Sequence, residues 1–164
     1  MTARRDWRLE LTERLGALGH RNWILVADSA YPEQTDPGLE LLVTGAEQTV
    51  VLQEVVDALA TASHLQPKVY VDSELAYVRD AAAPGVEAFR IALAKLALAP
   101  TAVPHEELIG RVAAAAQGFT VLVLKTTSVL PYTTVFFELD CGYWDAAREE
   151  ALRADVAQGS PRKP

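Results

Sequence analysis

Leu18 to Pro32 reads LGHRNWILVADSAYP. At its centre WILVA, Trp23 to Ala27, is an unbroken apolar run rich in aromatic and β-branched side chains. Successive strand residues point to opposite faces, so a run with no polar member predicts a strand covered on both sides. Helices on both faces of a sheet define an α/β protein. Polar groups bracket the run: His20 lies three residues before it and Asp28 directly after it. Asp28 therefore falls at the C-terminal end of a strand, where open α/β sheets hold their ligands.

The sequence on either side repeats the theme. Trp7, Leu11, Leu15 and Leu18 recur at helical spacing, with Gly19 where a C-cap falls, so a first helix is expected to end at His20. A histidine there also suits the negative end of a helix dipole, a purely structural role. SAYPEQTDPG (29–38) reads as a loop, in which Asp28 could form an Asx-turn, and LELLV (39–43) as a second strand. Residues 47–60 predict a helix through Val51, Val55 and Leu59, followed by a strand KVYV at 68–71. Pro84-Gly85 punctuates the chain before a helix carrying Phe89, Leu93 and Leu96. APTAVP (99–104) reads as a linker into a helix with Leu108, Ile109 and Val112 inward. FTVLVL (119–124) and TTVFFEL (133–139) are strands, 145–156 is a terminal helix, and GSPRKP is a polar tail. The pattern predicts a single domain over 1–157, a three-layer αβα sandwich with a mostly parallel central sheet, and a disordered tail at 158–164.

Composition narrows the function classes. Fifteen Lys and Arg against 22 Asp and Glu give a net charge of −7, which argues against nucleic acid as a partner. One cysteine, Cys141, excludes an intrachain disulfide and an all-cysteine zinc site. The start MTARRDWRLE has no apolar core of a signal peptide, and no run of about 18 apolar residues occurs, so a soluble cytoplasmic protein is expected without a membrane partner. The dinucleotide, P-loop, nucleophile-elbow and zincin signatures are all missing.

The polar groups at strand and helix ends are the remaining candidates. His20 and Asp28 flank WILVA; His105 follows Pro104; Lys125 ends FTVLVL; Tyr132 follows Pro131. Each has a bland counterpart: His105 could simply begin a helix, Lys125 could be a solvated strand end, and Tyr132 could be core. Asp72 and Glu74 in YVDSEL would point to the same side if extended and could mimic a catalytic carboxylate pair, but read as a solvated loop, and His64 beside Ser63 as surface.

GHRNWILVADSAYP resembles the N-terminal signature of the RbsD/FucU family of ribose pyranases and fucose mutarotases, in which a Gly-His pair precedes a strand ending in Asp. KTTSVLPYTTVFFEL (125–139) is similar to the family's C-terminal signature, and PHEEL (104–108) resembles its His-x-x-Phe. The resemblance implies an enzyme that interconverts anomers or ring forms of a free monosaccharide without a cofactor. It implies His20 as proton donor, Asp28 as acceptor of sugar hydroxyls, His105 as a sugar contact, and Tyr132, Thr133 and Thr134 as pocket lining, with Lys125 a further binding candidate. Histidine suits such chemistry: with an ordinary pKa of about 6.5 it both gives and takes protons near neutrality, and general acid-base catalysis is worth roughly 10² to 10⁴ in rate.

This chain departs from the family pattern at Thr134, where Asn is usual, and at Thr127-Ser128, where Gly-Glu is usual. Thr offers one hydroxyl where Asn offers an amide donor pair and an acceptor, so a non-catalytic sugar-binding protein is one alternative. A metal-dependent hydrolase or lyase using His20, Asp28 and His105 is another. The resemblance also implies a ring-shaped homo-oligomer, an octamer or decamer, with sites between subunits and Tyr132 near His20 of a neighbour. Phe136, Phe137, Tyr143 and Trp144 supply more aromatic surface than one sheet edge easily covers, so the 131–139 segment is expected in the contact; the alternative keeps both Phe side chains in the monomer core.

Overall fold

WILVA is strand β1 (Trp23–Ala27), and all five of its residues are buried. The computed structural model describes residues 6–159 and 161–164, so Met1 to Arg5 and Ser160 of the expected domain and tail lie outside the described residues. Around β1 the chain forms α1 (Trp7–Leu15), β2 (Leu39–Val43), α2 (Gln48–Thr61), β3 (Leu65–Asp72), α3 (Val86–Lys95), β4 (Thr101–Val103), α4 (His105–Ala115), β5 (Val121–Lys125), β6 (Val135–Cys141) and α5 (Ala146–Gln158). The sheet order is β2-β5-β1-β6-β3-β4. β6 runs antiparallel to β1 and β3, while the β1–β5, β2–β5 and β3–β4 pairings are parallel. The mostly parallel αβα architecture is thus present. Five strand C-termini and the start of β6 share one edge of the sheet, called the C-edge below; the end of β6 and the start of β1 share the opposite N-edge.

Alternation assigns the two faces. Ile24 and Val26 join Leu122, Leu124 and Phe137 beneath α1, α2 and α3. Trp23, Leu25 and Ala27 join Val121, Val123 and Phe136 beneath α4. Phe136 and Phe137 are both fully buried on opposite faces of their own chain, which is the alternative that keeps both side chains in the monomer core. Burial of each contributes roughly 1.5–3 kcal/mol of transfer free energy. Tyr143 and Trp144 do remain exposed.

Other differences have local causes. α1 ends at Leu15 rather than reaching Gly19, because the Ala17 and Leu18 N–H groups bond back to Arg14 O and Asn22 Oδ1 takes the Gly19 N–H at 2.7 Å. Leu18 keeps its place in the core from a turn. β3 runs from Leu65 through Asp72, longer than KVYV, and the APTAVP segment contains β4, three residues paired with Tyr70 to Asp72. Gly38 at the mouth of β2 is required by close approach: a Cβ there would stand 2.0 Å from Phe119 O. Among the described residues α5 buries no side chain, and no helix is long and apolar enough to cross a membrane.

Candidate functional site

Asp28 follows the last residue of β1 and both of its oxygens are engaged. Oδ2 accepts the Ala30 N–H at 3.2 Å, the Asx-turn that the sequence offers, and Oδ1 accepts the Thr134 hydroxyl at 3.1 Å. The Ser29 N–H and hydroxyl both donate to Ser128 O at 2.7 Å, tying the loop after β1 to the loop between β5 and β6. Beneath them Gln48, at the start of α2, holds three strands together. Its Nε2 donates to Val26 O at 3.0 Å and Thr133 O at 2.7 Å, and its Oε1 accepts the Thr126 hydroxyl at 2.6 Å. A carboxylate oxygen has two lone pairs, so Asp28 retains acceptor capacity for a ligand hydroxyl.

The second half of the C-edge centres on His105, the first residue of α4. The Glu74 carboxylate accepts its backbone N–H at 3.2 and 3.1 Å, satisfying one of the four N–H groups that a helix start leaves unpaired and complementing its positive end. The His105 side chain lies 3.0 Å from Asp72 through Nδ1 and Oδ1. On its other side stands Tyr132, with ring centroids 5.5 Å apart at 88°. Tyr132 adopts φ 57, in the left-handed region that non-glycine residues rarely occupy and that tends to occur where function constrains the chain.

Asp72 is 1% exposed, which corrects its reading as part of a solvated loop. It is the last residue of β3, pairs with Val103 of β4 and meets His105 at the start of α4. Its Oδ2 is buried without a hydrogen-bond partner. Burial pushes its carboxyl above the usual range, the His105 contact pulls it down, and Glu74 and Asp28 push it further up. Burial likewise raises the phenol of Tyr31, helped by the charges of Asp28 and Asp72. Asp28 with Thr134, and Tyr132 with His105 and Asp72, therefore form two contact groups joined through residues 132–134 and drawn from the β1 end, the β5–β6 loop, the α4 start and the β3 end.

His20 is elsewhere. It sits before β1 at the N-edge, separated from Asp28 by the length of that strand, about 16 Å at 3.3 Å per residue. Its Nδ1 is 2.7 Å from Asp140 Oδ1, whose other oxygen is 3.1 Å from Lys68 Nζ. The Cys141 N–H, with Lys68 and His20, holds the Asp140 carboxyl below its ordinary range. The His20 side chain is 57% exposed. It lines a cavity of about 610 Å³ with Arg21, Asp140, Trp144, Glu149 and Arg153. Within one chain His20, Asp28 and His105 thus do not meet, so they form no joint metal ligand set there.

Of the remaining candidates, Lys125 ends β5 half-buried beside Ala27 at the C-edge. Thr133 is fully buried; its hydroxyl donates to Leu130 O at 2.8 Å. His64 is not a free surface group: half-buried, its Nε2 lies 3.1 and 3.2 Å from Leu15 O and Leu18 O and braces the turn after α1. Sequence reasoning passed over Gln48, and it weighed Asp72 but read it as part of a solvated loop. Asp72 had one legible signal, its place at the end of a strand.

A mostly parallel sheet with polar groups gathered at its C-edge defines an α/β domain of the architecture in which ligands are commonly held at strand C-termini. The chain belongs to the RbsD / FucU transport protein family, whose pattern matches residues 8–141. Two solved structures share the fold. Bacillus subtilis RbsD complexed with D-ribose is 16% identical, with a TM-score of 0.56 over 80% of this chain and 91% of that one. The fucose mutarotase from Streptococcus pneumoniae in complex with L-fucose is 13% identical, with a TM-score of 0.55 over 85% of this chain and 96% of that one. No curated relative matches the sequence. Trp144 and α5 lie beyond the family match.

Proposed function

We propose that the protein interconverts anomers or ring forms of a free monosaccharide without a cofactor. The observation that carries this reading is the linked set Asp28–Thr134, Tyr132–His105 at the C-edge, built from the same segments that resemble the family signatures. Ring opening requires a proton to leave the anomeric hydroxyl while another reaches the ring oxygen, and closure reverses both transfers. Asp28 and the Tyr132 segment hold the sugar; His20 gives the proton to the ring oxygen. Since His20 stands at the N-edge, it serves the C-edge of an adjacent chain in a closed homo-oligomer, an octamer or decamer. Its exposure leaves it available for such a contact.

Saturation-transfer NMR over common aldoses tests the reading. At least one pentose, hexose or deoxyhexose should exchange anomers faster with micromolar protein than in buffer. No acceleration for any sugar removes the enzyme, and ligand-observed binding without acceleration leaves a sugar-binding protein, the reading that the Thr134 hydroxyl, already committed to Asp28, would favour.

A further inference from the structure

We infer that Asp72 is the positioning residue that makes His105 the base of the reaction proposed above, the group that takes the anomeric proton. The Nδ1···Oδ1 distance of 3.0 Å is that of a hydrogen bond, and a carboxylate can only accept, so the Nδ1–H donates and Nε2 keeps its lone pair. The other carboxylate oxygen is buried with no partner. A buried polar atom without a hydrogen bond is destabilising, and an isosteric apolar residue at the end of β3 would avoid that cost. Asp72 therefore does not earn its place through folding. Such an uncompensated group next to an accessible titratable side chain is the pattern of a functional pair.

The chemistry follows and balances. His105 Nε2 takes the proton from the anomeric oxygen, the anomeric carbon becomes a carbonyl, its bond to the ring oxygen breaks, and His20 delivers a proton to that oxygen. The imidazolium so formed is stabilised by Asp72 through Nδ1–H. Closure on either face of the carbonyl returns both protons. Asp72 sees three other titratable groups, Glu74, Asp28 and Tyr31, and none of these is a cation that could replace the imidazole as its partner.

This inference rests on the proposed mutarotation, but its test has two separable arms. In the ¹⁵N-labelled full chain, with the His105 signals assigned through His105→Ala, the wild type should show the Nδ1–H tautomer, and Asp72→Asn should shift the population toward Nε2–H. In exchange kinetics Asp72→Asn should lower kcat by about a hundredfold or more with KM within about threefold, while Tm does not fall. The double variant Asp72→Asn/His105→Ala should be no slower than His105→Ala alone, since the two act as one unit. A wild-type Nε2–H tautomer, a kcat for Asp72→Asn within threefold of wild type, or additive losses would overturn the inference. Should the wild type accelerate no sugar, the mutarotation reading fails while the tautomer measurement still decides whether Asp72 sets His105.

Discussion

The two edges of the sheet are built on different terms. At the C-edge, side chains from the end of β1, α2, β3, α4 and the β5–β6 loop are locked by hydrogen bonds that cross long stretches of sequence, and several of them, Gln48, Asp72, Thr126, Thr133 and Thr134, are buried. At the N-edge, His20, Asp140 and Lys68 form an ion cluster open to solvent. The C-edge is a hydrogen-bonded surface whose geometry is fixed within one chain; the N-edge presents an exposed histidine in an open cavity. The family match ends at residue 141, so Trp144, Glu149 and Arg153, which wall the His20 cavity, are additions on the open side.

That contrast predicts unequal stability costs. Gln48→Ala leaves Val26 O, Thr133 O and the Thr126 hydroxyl without their buried partner and should lower unfolding free energy by about 2–4 kcal/mol in denaturant titration. Lys68→Ala removes an exposed ion pair and should change it by less than about 1 kcal/mol. A reversed order would break the distinction between the edges.

The alkaline limb of stability sharpens it further, with a smaller effect. The Tyr31 phenol is raised in the fold, so its contribution is fully present below the ordinary tyrosine value near 10 and is lost as pH rises through the folded value. Thermal melts from pH 8 to 11 should therefore show a decline that Tyr31→Phe flattens. An unchanged slope in the variant would locate the alkaline loss outside the C-edge.

Much of this was legible in the sequence because apolar runs report burial directly. WILVA marked the central strand, and the polar residues at its two ends marked both edges. The two ends lie eight positions apart in sequence, and the five-residue strand between them puts them on opposite sides of the sheet, so they do not meet within one chain. Asp72 reads as loop because β4, which it pairs with at Val103, is a three-residue strand between two prolines, too short for any periodic signal. Gln48 escaped because a polar residue in the first turn of a helix is ordinarily solvated, and the groups that engage it come from β1 and the β5–β6 loop, distant in sequence.

The central claim is that one working site joins the two edges across a subunit contact, and mixing inactive chains tests it directly. His20→Ala and Asp28→Ala variants, each with exchange reduced to near buffer level at sub-saturating sugar, would be co-expressed in equal amounts. Shared sites predict that the mixed oligomers regain about a quarter of the wild-type rate, the fraction of contacts at which an intact His20 meets an intact Asp28. A mixture no faster than the mean of its two parents would contradict the account.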